Sequence, residues 1–406
     1  MPTAQSGSAS ASLPTSPGCE KAQESPPSAG GGTVSLYVHV PFCASRCRYC
    51  DFASEVRRTD RVALYLTCIE KEIASSPAAL RPVSTVYVGG GTPSCLEEPE
   101  LLRLFDLLRR GLDLSRVVEW TVEANPGTAD GRRLALLRSL GADRLSLGVQ
   151  SFDERVLRTL GRRHSVREVE GSIRAARAAG FRNVSLDLIF AAPGQSLEGV
   201  RRDLSRAVAL EPEHISAYAL TWEEGTALWA MRERGELAPP EESVEREMYL
   251  AVIEDLEAAG FSQYEISNFA RPGRECTHNL VYWLGGEYVG LGPSAASYLR
   301  GERFVNAREL DGYALRLFRG ESPAAERERL EGERAAREAL VLALRTRRGA
   351  EEGAFRSRTG YRPAELLGER GRRLLEEGWL ETAGGALRLS RKALPVADSV
   401  LAELIL

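Results

Sequence analysis

The stretch VSLYVHVPFCASRCRYCDF, residues 34–52, leads from a β-branched and aromatic segment straight into three cysteines, Cys43, Cys47 and Cys50. The run Val34 to Val40, closed by Pro41, predicts a strand with the cysteines on the loop that follows it. Thiolates spaced C-x3-C-x2-C suit either zinc or an iron–sulfur cluster, and the fourth ligand separates the two. A closed zinc site takes four protein ligands. His39 offers an H-x3-C spacing, yet it lies in the strand's end and no second compact ligand pair accompanies it. Three thiolates on a [4Fe-4S] cube instead leave one iron open to an outside ligand, an arrangement for chemistry or cofactor binding rather than scaffolding.

Outward from this loop, short β-branched or aromatic runs alternate with longer amphipathic stretches, the pattern of parallel β/α construction. Six strand candidates stand out: Val34 to Val40, Thr85 to Val88, Val118 to Val122, Leu145 to Val149, Val184 to Phe190 and Ile215 to Leu220. Helices follow them. One opens with Ser165 and Glu168 in capping-box spacing and stops at Gly180; another presents Leu101, Leu104 and Leu108 on one face. The expected fold is α/β, an incomplete (β/α)6 TIM-like barrel over residues 33–235. Chemically unusual residues follow the strands: the cysteines, Gly89 to Pro93, Glu123 and Gln150. In a parallel barrel all of these lie on the C-terminal face, where active sites assemble.

Residues 236–329 read as a barrel extension, with a helix through Met248, Val252 and Leu256 and a Gly-rich segment from Gly285 to Gly292. Residues 330–406 read as a helical, winged-helix-like domain ending in Trp379 to Thr382, a turn at Gly384 and Gly385, and Ala386 to Leu389. Its acids and bases nearly balance, which favours a lid or partner-docking module over DNA binding. Residues 1–32, rich in Ser, Pro, Ala and Gly, read as a disordered tail without a leader sequence. The chain of 406 residues is 43% hydrophobic and 27% charged with a formal net charge of -4. Those values fit a soluble globular protein and give no global attraction for nucleic acid, and no apolar run is long enough for a membrane span. Seven cysteines, an odd number with three crowded together, argue for a reducing cytoplasm rather than a disulfide framework. Cys68, Cys95 and Cys276 read as isolated buried thiols, and Cys19 in the tail has no assigned role.

The motif Tyr37-Val38-His39-Val40-Pro41-Phe42-Cys43, followed by Tyr49-Cys50-Asp51-Phe52, resembles the radical S-adenosylmethionine (SAM) signature of the oxygen-independent coproporphyrinogen III oxidase family. The resemblance runs from Leu36 into the C-terminal module. It implies a [4Fe-4S] cluster on Cys43, Cys47 and Cys50 whose open iron is chelated by SAM, and an electron donor to reduce it. It also places Tyr37, Tyr49, Gly90, Gly91, Thr92, Glu123, Gln150, Arg162 and Asp187 around SAM. Read alone, these residues leave other roles open. Gly89 to Pro93 is a turn whose glycines let carbonyls approach an ammonium. Glu123 suits a ligand's hydroxyls or amine, or a helix-start cap. Arg162, in Gly161-Arg162-Arg163-His164, suits an anion or a solvated turn. Asp187 sits in an apolar strand and needs a donor or a ligand. Thr221 stands where a relative has a small apolar residue, so no contact is carried over to it.

Two branches of that family differ in function. One oxidatively decarboxylates coproporphyrinogen III; the other, heme chaperones of the HemW type, binds heme and hands it to an acceptor protein. Enzymes of the first branch tend to follow the third cysteine with Gly-Cys, where this chain has Asp51-Phe52. His278-Asn279-Leu280-Val281-Tyr282-Trp283 resembles the chaperones' H-N-x-x-Y-W heme motif, which implies heme contacts for His278, Tyr282 and Trp283. Histidine is a common axial ligand, and flat aromatic rings suit a macrocycle. One departure is Ala296, where relatives often carry histidine. The resemblance therefore favours a heme chaperone, with the decarboxylating enzyme as the alternative, and it assigns no catalytic residue.

Overall fold

The computed structural model describes residues 32–405. The tail expected over residues 1–32 lies outside the described residues except for Gly32, as does Cys19. All six expected strands form, each bounded within two residues of the sequence reading: β1 (Val34–Val40), β2 (Val83–Gly90), β3 (Glu119–Ala124), β4 (Arg144–Gln150), β5 (Asn183–Phe190) and β6 (His214–Ala219). They pair in parallel and in chain order. A further parallel strand, β7 (Tyr288–Leu291), adds to the free edge of β1, with Ser35 opposite Tyr288 and Val38 opposite Leu291. This strand lies in the Gly-rich segment, whose composition weakens the strand signal. The glycines are there for close approach. A Cβ on Gly290 would stand 2.4 Å from the Ala296 carbonyl oxygen, and one on Gly292 would stand 2.5 Å from that of His39.

Antiparallel strands extend both edges. Ala296–Leu299, Glu302–Asn306 and Ala324–Arg329 continue beyond β7, and Asn268–Ala270 and Ser262–Gln263 continue beyond β6. The sheet of described strands is therefore open, a curved partial barrel. Outward-facing Leu36, Val38, Val86, Val88, Val122 and Leu186 are fully buried beneath the helices. Each such side chain is worth roughly 1.5–3 kcal/mol of burial. The inward positions are different in kind: Tyr37, Tyr87, Glu123, Ser146, Asp187 and Ser216 alternate with those apolar residues. A filled TIM barrel places branched aliphatics there. Polar lining on every strand instead makes the interior a cavity.

Local signals explain the helices. Ser165 and Glu168 form the capping box of helix Val166–Ala178, and Gly180 turns the chain out at φ 93°. Leu101, Leu104 and Leu108 are the buried face of helix Glu98–Gly111. Beyond residue 330, helices Gly332–Leu344, Glu352–Thr359 and Gly368–Glu376 precede a hairpin, Leu380–Ala383 with Ala386–Leu389. Gly384 and Gly385, both at positive φ, make its turn. Ala350–Glu351 joins the hairpin to complete a winged-helix-like wing, and helix Ala397–Ile405 closes the module. No helix among the described residues is long and apolar enough to cross a membrane.

Candidate functional site

Cys43 follows β1 and is pinned by a short parallel pairing of Phe42–Cys43 with Glu55–Val56. Fully buried Phe42 packs edge-on against Tyr65, with ring centroids 5.5 Å apart. The rest of the loop is tied to helix ends: the Arg48 amide donates to the Leu160 carbonyl at 2.9 Å, and the Leu228 amide donates to that of Arg48 at 2.8 Å. A chain of side-chain hydrogen bonds links two of the sulfurs. The Thr92 hydroxyl donates to Cys43 Sγ at 3.5 Å, and Asn125 Nδ2 donates to Thr92 Oγ1 at 2.7 Å. Arg162 donates to the Asn125 side-chain oxygen, to the Gly148 carbonyl at 2.5 Å and to Cys47 Sγ at 3.5 Å. Arg162 is thus an interior residue beside the cysteines and not a solvated turn. Donors aimed at sulfur stabilise thiolate character and tune a bound metal. His39 does not join the cysteines, because Nδ1 shares a hydrogen bond with the Tyr37 hydroxyl and Nε2 lies 2.8 Å from the Ala53 carbonyl. Cys68, Cys95 and Cys276 are buried apart from the triplet.

The triplet opens onto a cavity of about 600 Å³ that descends into the barrel. Tyr37, Tyr49, Gly90, Gly91, Thr92, Glu123, Gln150, Arg162 and Asp187 all line it together with Cys43, Cys47 and Cys50. Glu123 is a strand residue and caps no helix; it accepts from the Tyr87 hydroxyl at 2.8 Å and from the Gly90 amide at 3.1 Å. Burial lifts its carboxyl to about 7 against the pull of those donors. The amides of Gly91 and Thr92 are likewise committed, to the Val40 and Phe42 carbonyls, which fixes the turn against β1. Asp187 has its donors in the Ser146 hydroxyl at 3.0 Å and the Ser185 hydroxyl at 3.4 Å, and burial raises its carboxyl as well. Gln150 sits at φ 67° beside a register irregularity between β4 and β5, which turns its side chain toward Tyr218 at 3.4 Å.

At the opposite, strand-start end, helix Thr277–Trp283 brings His278 and Tyr282 onto the same cavity. The hydroxyl protons there run in one direction: Ser84 donates to the Val34 carbonyl and Thr85 to Ser35. With Thr85's proton spent, His278 Nδ1–H donates to Thr85 Oγ1 at 2.8 Å, and Nε2 accepts from the Tyr282 hydroxyl at 2.8 Å. Burial, then the nearby Arg144 charge, pushes His278 down to about 3, so the imidazole is neutral and its Nε2 lone pair is capped by a phenol. Trp283 does not line this cavity. It faces the C-terminal module, where the Arg345 guanidinium lies 4.9 Å from its ring centre. Ala296 lines a smaller neighbouring pocket with Phe52, Tyr282 and Tyr288.

Asn125, Tyr87, Ser146, Ser216 and Arg144 belong to no motif that marks them as site residues, although all but Asn125 have a period-two signal: a polar or aromatic residue at every second position of an apolar run. Asn125 lies past the end of β3 and reaches the site only through the fold.

The Radical SAM superfamily profile matches residues 37–207, and the HemN C-terminal domain profile matches residues 330–396. The chain is 35% identical over 369 residues to the heme chaperone HemW of Bacillus subtilis, covering 90% of this chain and 97% of that protein. It is 39% identical over 385 residues to the heme chaperone HemW of Mycobacterium tuberculosis, covering 92% of this chain and 95% of that protein. Its fold superposes on coproporphyrinogen III oxidase (HemN) from Escherichia coli, a radical SAM enzyme, with a TM-score of 0.81 over 92% of this chain and 90% of that one at 24% identity, a likeness of fold.

Proposed function

The chain belongs to the radical SAM superfamily, in the family of the heme chaperone HemW, and from that premise we propose that it binds heme as cargo and passes it to an acceptor protein in the cytoplasm. The observation that carries the reading is the extent of the likeness to the HemW proteins, which spans the cysteine loop, the cavity and the C-terminal module. Membership of the superfamily brings a [4Fe-4S] cluster and SAM, and in this reading SAM's methionine part would chelate the iron that the three cysteines leave open. In this reading Cys43, Cys47 and Cys50 hold the cluster, with Thr92 and Arg162 donating to two of the sulfurs. Tyr37, Tyr49, Gly90, Gly91, Thr92, Glu123, Gln150 and Asp187 surround SAM, and an electron donor reduces the cluster. His278 offers Nε2 to heme iron once the Tyr282 hydroxyl turns aside; Trp283 supports the helix from behind rather than touching the macrocycle. Asp51-Phe52, where decarboxylating enzymes of the same fold tend to have Gly-Cys, and the HNLVYW segment support the chaperone over that alternative.

A side-by-side anaerobic assay tests this. Reconstituted protein should bind about four iron and four sulfide, shift the Soret band of added heme, and yield no protoporphyrinogen from coproporphyrinogen III with SAM and a low-potential donor. Cys47→Ala should lose most of the cluster's visible absorbance. Robust decarboxylation without heme binding would replace the chaperone by the enzyme.

A further inference from the structure

Most buried charges in this molecule have partners. Glu72 accepts from Tyr313, Asn306 and the Gly292 amide; Glu119 from the Thr277 and His278 amides; Asp203 from Ser151 and the Phe152 amide. Arg144 is different. It is the first residue of β4, 2% exposed, and it lines the barrel cavity at the strand-start end. Its guanidinium has one long contact, to the Thr121 hydroxyl at 3.5 Å, and its Nε has no hydrogen-bond partner. Among the described residues the carboxylate that acts on it, Glu119, does so through space and not through a hydrogen bond. The nearest acidic groups are already spent: Glu119 holds the start of helix Thr277–Trp283, and Asp187 holds Ser146 and Ser185. An arginine cannot discharge itself by losing a proton, so a buried, unpaired one is costly wherever it has no ligand to meet. The two histidines that share this end, His214 and His278, both have Nε2 turned to tyrosine hydroxyls, Tyr264 at 2.9 Å and Tyr282 at 2.8 Å. They are neutral, so what offsets the positive charge is the Glu119 carboxylate, which acts from a distance and forms no hydrogen bond with it. A planar fork of donors facing a cavity is the geometry that takes a carboxylate through paired hydrogen bonds.

We propose that Arg144 anchors an anion subsite at the strand-start end of the barrel cavity, and that the anion is a carboxylate, namely a propionate arm of the tetrapyrrole. The identity of the carboxylate rests on the heme reading above; the subsite itself rests on the unpaired guanidinium. His278 and Arg144 then act from one end of the cavity on two different parts of one cargo, iron and propionate.

Metal-free mesoporphyrin separates the two, since it has propionates and no iron for His278. Cluster-loaded wild-type protein should bind the free acid roughly tenfold to a hundredfold more tightly than the dimethyl ester, the range for hydrogen bonds to a charged group. Arg144→Met should bind both at the ester's affinity, with iron content and SAM binding unchanged, and Arg144→Lys should fall between. Equal affinity of the wild type for acid and ester overturns the propionate assignment without needing any variant. A preference that survives in Arg144→Met overturns it too, and loss of SAM binding in that variant would hand the arginine to SAM instead. If the wild type binds neither heme nor mesoporphyrin, the heme reading fails, and sodium propionate against sodium chloride at equal ionic strength decides the subsite alone. A propionate-specific rise in melting temperature that Arg144→Met or Arg144→Lys diminishes supports it, and its absence in the wild type removes it.

Discussion

Cys43, Cys47 and Cys50 announce themselves because ligand chemistry depends on residue type and short spacing, both local properties of a sequence. Gly90 is a residue whose importance the sequence shows but whose reason it conceals. At the sequence level its missing side chain reads as room for a ligand. In the fold, Gly90 has φ 107°, and a Cβ there would lie 2.5 Å from His39 Nδ1, on the β1 side. Gly90→Ala should therefore destabilise the protein by about 2–5 kcal/mol, combining a positive-φ penalty with overpacking. The midpoint of urea unfolding measures it; an unchanged midpoint with SAM binding lost would restore the ligand-side explanation. Arg144 and Asn125 carry no local mark of their place, for a different reason. An arginine opening a strand is ordinary, and only the closing curve of the sheet turns it into a cavity.

The six central strands were readable because outward Val and Leu alternate with inward polar residues, and β7 was not, because Gly290 within it and Gly292 just after it answer to the close approach of Ala296, on the far side of the next turn, and of His39 in β1. Helix Thr277–Trp283 shows how an element too short to be stable alone is fixed in place. Its first turn is held by Glu119, which is 6% exposed and accepts from the Thr277 and His278 amides, both at 3.0 Å, and from Cys276 Sγ at 3.4 Å. A carboxylate at a helix start satisfies free amides and complements the helix dipole. Glu119→Ala strands two buried amides and should cost about 2–4 kcal/mol, with Glu119→Gln costing less because one acceptor oxygen remains. Hydrogen exchange should localise the loss: amides 277–283 should lose protection before those of β1 to β6. Uniform loss across the sheet would mean that Glu119 supports β3 rather than the helix.

At the scale of the whole molecule, the extension and the C-terminal module are fastened to the barrel by polar ties that no local pattern reveals. The Arg347 amide donates to the Tyr264 carbonyl at 3.0 Å, and Arg358 donates to the Leu284 carbonyl at the end of the heme-motif helix. On the other flank Glu72, from helix Thr59–Ser75, accepts from the Gly292 amide at 2.7 Å, from Asn306 Nδ2 at 2.6 Å and from the Tyr313 hydroxyl, so one buried carboxylate joins the barrel to β7 and the strands beyond it. Burial outweighs those donors and lifts Glu72 to about 7, against 4.5 for a free glutamate. Between those values the folded protein keeps a proton that the unfolded chain releases, so the stability tied to that proton is complete below pH 4.5 and lost as pH rises through 7. The span corresponds to about 3 kcal/mol at 1.36 kcal/mol per unit. Glu123 slopes the same way, whereas His278, pushed down to about 3 by burial and Arg144, slopes oppositely, so the wild-type profile alone cannot isolate Glu72. The difference between wild type and Glu72→Gln can. Unfolding free energies at pH 5 and pH 8 should show the wild type losing about 2.5 kcal/mol more than the variant over that interval; parallel profiles would mean that Glu72 stays ionised throughout and that its three donors outweigh burial.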